Sequence, residues 1–137
     1  MSGVPFHYVD LRTFVYDTED ERRVREALEL FVPEDTDIDR EETTGHLGDR
    51  IVVLSVRVET ADAIRYVIDR LRAVDVDRLR AELADRIDED CSFHLHLDKQ
   101  AAALGSVALG DGIALRAKVE AYPAKRETAI ENVREYL

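Results

Sequence analysis

His94, His96, Asp98, Lys99 and Gln100 lie close together in the run 91–105, which reads Cys-Ser-Phe-His-Leu-His-Leu-Asp-Lys-Gln-Ala-Ala-Ala-Leu-Gly. Side chains of these types can hold a metal, move a proton or grip a phosphate. His94 and His96 are two apart, so on a strand their rings leave the same face, with Asp98 next in that row. Such a pair can supply two ligands to zinc. A closed zinc site needs a third and a fourth, and no Cys-x-x-Cys or His-Glu-x-x-His motif is present. No metal is expected. Lys99 beside Asp98 could act as a catalytic pair only if a desolvated pocket lowered the lysine pKa. Nothing in the sequence builds that pocket, and a helix cap followed by a surface lysine is the simpler reading. No catalytic residue and no cofactor is expected.

The elements that position these residues follow from the pattern around them. Cys91, Phe93, Leu95 and Leu97 alternate with Ser92, His94 and His96, the period of a half-buried strand over 91–97. Cys91 falls on the apolar side and reads as a buried, inert thiol. Asp98 then fits a helix N-cap, Lys99 to Leu104 are helix formers, and Gly105 fits the position just past a helix end. A second late strand, 113–121, sends Arg116 and Lys118 to one face. The first strand, 6–16, sends Arg12 out with Tyr8, Phe14 and Tyr16. If these strands are neighbours, the outward surface is cationic and carries aromatics, which is how several RNA modules bind their ligand.

The rest of the chain supplies a scaffold. Apolar residues lie on both faces of strand 6–16, which predicts a central strand covered partly on both sides. Thr18 to Glu21 fits a capping box for a helix over 20–31, with Val24, Ala27, Leu28 and Phe31 inward and Pro33 as the stop. Residues 35–44 read as a charged edge strand, paired through a turn at 45–49 with the apolar strand 51–58. Asp35 to Asp39 begins like a calcium loop, but the required Gly and Glu are not at the right offsets. Thr60 caps a helix over 61–72. Asp75 is placed to cap another, with Val76, Leu79, Leu83 and Ile87 inward. Gly110-Asp111-Gly112 is a turn, without phosphate-loop spacing. Pro123 is expected at the first position of a last helix, with Ile130, Val133 and Leu137 as its apolar stripe. The fold class is α+β: a single mixed or antiparallel sheet of about five strands, with helices packed mainly on one face, in one domain.

The run Leu95-His96-Leu97-Asp98-Lys99-Gln100-Ala101-Ala102, with Gly105 beyond it, resembles the signature of a family of archaeal proteins described as predicted RNA-binding proteins or exosome subunits. Family members usually read Leu-Arg-Leu-Asp-Lys-Gln, so His96 stands where an Arg is expected. Further matches lie at Tyr16 to Asp20, at Gly45-His46-Leu47-Gly48-Asp49 and at Asp111-Gly112-Ile113. The resemblance implies a fold like that of the ribosomal protein that binds 5S RNA, and RNA as the partner. It makes Lys99 the leading RNA contact and Gln100 the next. Arg12, Arg116 and Lys118 follow as phosphate contacts, with His94, His96 and, in the hairpin turn, His46. The alternatives are a protein-interaction module that docks through the exposed sheet, the C-terminal helix or a second copy, and an enzyme acting on RNA through metal-binding carboxylates.

Composition sets the outer bounds. No apolar run approaches the roughly 20 residues of a membrane span, and no leader pattern is expected at the start. Cys91 is the single cysteine, which fits a reducing cytoplasm. Thirty acids against nineteen bases give a net charge of −11. Abundant Asp with lysine only at Lys99, Lys118 and Lys125 points to adaptation to high salt. There the Debye length falls to about 3 Å, and repulsion of a polyanion by the whole body is screened. Like charges spread over a compact body also oppose folding until salt screens them. The melting temperature is therefore expected to rise from dilute buffer to molar KCl; a flat or falling series would remove the halophilic reading.

Overall fold

The computed structural model describes residues 3–74 and 76–137. Strand β1 (Phe6–Tyr16) is followed by helix α1 (Glu21–Glu29), the hairpin β2 (Asp39–Thr44) and β3 (Arg50–Val58), and helix α2 (Ala61–Leu71). Two short helices, α3 (Val76–Ala81) and α4 (Leu83–Arg86), lead to β4 (Ser92–Asp98). Then come α5 (Lys99–Ala103), β5 (Gly112–Val119) and α6 (Arg126–Tyr136). The strands form one sheet in the order β2-β3-β1-β5-β4, and every neighbouring pair is antiparallel.

The pleat sorts the side chains. Leu11 is paired with Val56 on one side and Leu115 on the other, and Leu115 with Leu95. All four are buried, and this apolar row is the middle of the core. Against it pack Val24, Ala27 and Leu28 of α1, Ile64, Val67, Ile68 and Leu71 of α2, and Ala129 and Val133 of α6. Thr13 shares this face, and its hydroxyl donates to Gly112 O at 2.8 Å, so the one polar group of β1 in the core is satisfied.

Both sheet edges are guarded. All six residues of β2 are exposed and none is apolar, which discourages pairing with another chain. The outer edge of β4 is met by Ile87 bridging to Phe93 and Leu109 bridging to Leu97, and Gly110 N donates to His96 O at 3.1 Å.

Several expectations change. Strand β1 is central, but the helices cover one face alone; Phe14 and Tyr16 are exposed on the other. The cap of α1 is Asp20, whose side chain accepts from Arg22 N at 3.0 Å, in place of Thr18. The helix expected to carry Val76, Leu79, Leu83 and Ile87 inward is broken into α3 and α4, and its expected cap, Asp75, lies outside the described residues. Ser92, expected on the wet face, is buried, and Cys91 sits before β4 with a left-handed φ of 61°. Pro123 belongs to the turn before α6, following a cis peptide, and the helix begins three residues later after Lys125.

The β4–α5 corner is tight. Asp98 caps α5 by accepting from Ala101 N at 2.9 Å, as its position predicts, and Gly105 has a left-handed φ of 85° just past the helix end. A side chain at Gly112 would place its Cβ 2.5 Å from Lys99 Cβ, and the φ there is 112°. Gly48 also has a positive φ, of 86°, but opens on empty space. Gly48→Ala therefore pays only the backbone strain, about 1 kcal/mol, while Gly112→Ala adds overpacking of roughly 1–3 kcal/mol. Urea denaturation of the two variants should show that ordering; equal losses would mean the Lys99 approach is not rigid.

Candidate functional site

The uncovered sheet face is a grid fixed by strand register. One row runs Arg57, Asp10, Arg116, His94 across β3, β1, β5 and β4. The next runs Asp39, Ser55, Arg12, Ala114, His96 across all five strands. Lys118 pairs with Tyr8 and Ser92 at one end, and Phe14 and Tyr16 stand at the other. The expected neighbours are therefore brought together: Arg12, Arg116, Lys118, His94 and His96 share one face. His46 is exposed in the β2–β3 turn, apart from this grid.

Which cations are free depends on a cross-strand pair. Asp10 lies between Arg57 and Arg116. It binds Arg57 bidentately, with Nε to Oδ1 at 2.7 Å and Nη2 to Oδ2 at 2.9 Å. That pair raises the arginine's pKa, chiefly through the hydrogen bond to Asp10. The Arg57 guanidinium also lies 3.9 Å from the centre of the Tyr8 ring. With Asp10 engaged, Arg116 has only Ser92 Oγ, at 3.4 Å, among the described residues. Arg12 has the Phe14 ring at 5.5 Å. Among the described residues neither arginine has a carboxylate within ion-pairing distance. Lys118 Nζ donates to Asp90 O.

Two joined concavities cover this face. One, about 550 Å³, is walled by Arg12, Arg116, His94 and His96 around the small Ala114; its carboxylates are Asp10 and, on β2, Asp39. The other, about 490 Å³, is lined by Phe14, Tyr16, Gln100 and Asp111, and shares Arg12, His96 and Ala114 with the first. Gln100 is exposed at its wall.

Lys99 is placed differently from a surface lysine. The residue is only 9% exposed, and Nζ donates to Phe14 O and to Glu19 Oε1, each at 3.0 Å. It also lies 5.3 Å from the centre of the Tyr16 ring. Glu19 in turn accepts from Tyr16 N at 3.1 Å. The ammonium thus ties α5 to the end of β1. Sequence reasoning sees the residue type and misses this, because the partners are about 80 residues away, at separations of 85 and 80.

Asp88 is a further site residue that periodicity does not reveal. Its Oδ1 accepts from Asp90 N and Ser92 N, both at 3.0 Å, and its Oδ2 meets His94 Nε2 at 2.9 Å. It folds the turn into β4 and fixes one edge of the His94 ring. Among the described residues no group of three or more His, Cys, Asp or Glu side chains is arranged to hold a metal. No helix among them is long and apolar enough to cross a membrane.

Fold and face together define an α+β protein with one open antiparallel sheet that presents arginine and aromatic side chains. The family model described as "RNA binding" matches residues 8–119, and the chain belongs to that family. It is 35% identical to a protein of Pyrococcus abyssi named as an RNA-binding protein, over 96% of this chain and 93% of that one. Among solved structures, a DUF54 protein of Methanothermobacter thermautotrophicus is 42% identical, with a TM-score of 0.84 over 96% of this chain and 98% of that one. A DUF54 protein of Archaeoglobus fulgidus is 33% identical, with a TM-score of 0.85 over 96% and 99%.

Partial burial pushes the Asp88 carboxyl up, but hydrogen bonds from Ser92 N, His94 and Asp90 N outweigh it and hold the pKa below the usual aspartate range. A lowered folded-state pKa gives stability that is present above the unfolded value of about 3.9 and lost as pH falls through the folded one. Asp88→Asn should thus cost stability at pH 7 and progressively less below pH 4. The carboxylate is 45% exposed, so the pH-dependent part stays within about 1 kcal/mol. Thermal melts of both proteins from pH 2.5 to 7 check this; a gap that widens on acidification contradicts the assignment.

Proposed function

We propose that this chain is a non-catalytic RNA-binding protein and that the uncovered sheet face is its binding surface. The observation that carries the reading is the pair Arg12 and Arg116, both on that face and both without a carboxylate partner among the described residues. In a protein of net charge −11, a guanidinium that no acid has taken is available to an external anion. Lys118 extends the cationic line, and His94 and His96 flank it. Each imidazole there offers a hydrogen bond or a stacking surface. Gln100 can hydrogen-bond a base edge or a 2′-hydroxyl. Lys99, the leading contact by resemblance, is assigned a positioning role here, because its ammonium already has two acceptors. The family description and the Pyrococcus abyssi relative's name support RNA as the ligand.

Three finer statements belong to this reading on the strength of resemblance and composition. They are an association with RNA processing or degradation, such as the exosome; a likeness to the ribosomal 5S RNA-binding fold; and residence in the cytoplasm of a salt-adapted archaeon. The competing reading is a protein-interaction surface on the same face, and the same experiment separates the two.

Each arginine that contacts a phosphate releases condensed counterions, so its loss lowers the slope of log affinity against log salt by about 0.7 on a single strand. Fluorescence anisotropy with a labelled RNA over a KCl series should give weaker binding and a flatter slope for Arg12→Ala and Arg116→Ala. Arg70→Ala, on α2 with its guanidinium on Tyr66, should behave like wild type. Equal binding by all variants would displace the site, and no RNA binding at any salt where the protein is folded would hand the face to a protein partner.

A further inference from the structure

We propose that the two joined concavities take one unpaired nucleotide of a single-stranded RNA, with its base against Phe14 and Tyr16 and its phosphate on Arg12 and Arg116. This rests on the RNA reading above and adds the class of RNA and its orientation on the sheet.

The base end is built from side chains that a soluble protein ordinarily covers. Phe14 is 37% exposed and Tyr16 46%, side by side on the same face with ring centroids 6.4 Å apart. Their exposure has a cause. On β5 the pairing ends at Thr13 with Ile113, and the next residue on the β5 side is Gly112, which has no side chain to lay over Phe14. Ala114, one step along the same face, adds only a methyl group. The rings therefore border an open floor, and that floor is the second concavity.

The platform is also held still. Glu19 N donates to Tyr16 O at 2.9 Å, and Glu19 Oε1 receives Tyr16 N. Lys99 Nζ ties Phe14 O to that carboxylate and lies near the Tyr16 ring. A stacking surface fixed in advance loses little freedom when a base arrives. Lys99 is thus a positioning residue for the platform.

Charge sets the orientation. Asp111 lines the aromatic concavity, which disfavours a phosphate there and can accept from a base's exocyclic amine, with Gln100 as a second hydrogen-bonding group. The other concavity has Arg12 and Arg116, and its inner carboxylate, Asp10, is already bound to Arg57. Base and phosphate are thereby sorted to opposite ends, with Arg12 between them. On the β2 side Asp39 and Glu41 line the same face of the sheet and border the track. A paired base cannot reach the rings, because in a duplex its faces are already stacked.

The test uses the full chain with a labelled unstructured RNA of about twelve nucleotides and the blunt duplex of the same sequence, by anisotropy at fixed KCl. Single strand should bind at least about ten-fold tighter than duplex. Stacking contributes enough per base that Phe14→Ala should weaken single-strand binding about 5- to 150-fold, with the salt slope unchanged. Phe14→Leu, which keeps apolar bulk, should weaken it as well, so loss of packing is not the explanation. Short-wave ultraviolet irradiation should crosslink the RNA to the peptide holding Phe14 and Tyr16. Lys99→Met should lower that crosslink yield and leave the salt slope as in wild type, while Arg116→Ala flattens the slope. Melting temperatures taken beforehand set a common temperature at which every variant is folded. Equal affinity for strand and duplex, with Phe14→Ala and Phe14→Leu neutral and Arg116→Ala still weakened, overturns the proposal and leaves RNA binding standing. Absence of binding to both RNAs overturns the RNA reading itself and this proposal with it.

Discussion

The constraint on which this structure turns is that the pleated sheet buries one face only, with the edge strand β2 exposed throughout. A pleat sends alternate residues to opposite sides, so every strand that contributes to the core must also present a row to water. In β1 the buried row is Val9, Leu11, Thr13 and Val15, and the exposed row holds Arg12, Phe14 and Tyr16. A second helical layer would have buried both rows and needed apolar residues in each. Here the helices lie on one side, and the remaining side is free to carry chemistry. The one-sided helical layer is thus the reason the other face is open to a ligand.

Holding that open face in shape falls to a few polar ties rather than to packing. Lys99 joins α5 to β1, Asp88 folds the approach to β4, and Arg57 with Asp10 links β3 to β1. These ties also sort the charges. Arg57 is the guanidinium nearest to Asp10 in geometry and holds it bidentately, so Arg116, on the other side of the same carboxylate, is left to solvent. The hairpin shows the reverse arrangement: Arg40 is bound by Glu21 and Glu42 and has its pKa raised mainly by the Glu21 hydrogen bond. An arginine fully engaged by two acids contributes little to an external ligand, so position in the register, more than residue type, decides which cations matter.

Much of this was legible from periodicity. The strict alternation of 91–97 places His94 and His96 outward, and Asp98 followed by helix formers and Gly105 marks α5 with both its ends. These are local signals, complete within a turn or a strand, and local sterics enforce them. The misreadings involve partners far along the chain. Lys99 looks like a surface residue until Phe14 and Glu19 are brought to it. Ser92 alternates as an outward residue yet is buried where the 88–91 turn closes over it. Both faces of β1 look apolar, and only the tertiary arrangement decides that Phe14 and Tyr16 stay uncovered. Pro123 fits a helix start by composition, while the chain uses it in the preceding turn.

The remaining physical question is how so acidic a chain could receive a polyanion on the proposed face, and the sheet geometry answers it by distance. Neighbouring strands lie about 4.8 Å apart, so the carboxylates of β2 stand about two strand spacings, or roughly 10 Å, from Arg12 on β1. At 0.1 M ionic strength that equals the Debye length of about 10 Å, and the edge still repels a phosphate. At molar salt the length is about 3 Å, and the edge is screened out while a phosphate in contact with a guanidinium is not. On the proposed reading salt would act in two directions on this face: it would weaken binding through counterion release and relieve repulsion from the acidic border. Because the two effects operate at different distances, the acidic body and the arginine track are compatible in concentrated salt. In dilute salt the same border would confine a strand bound as proposed to β1, β5 and β4.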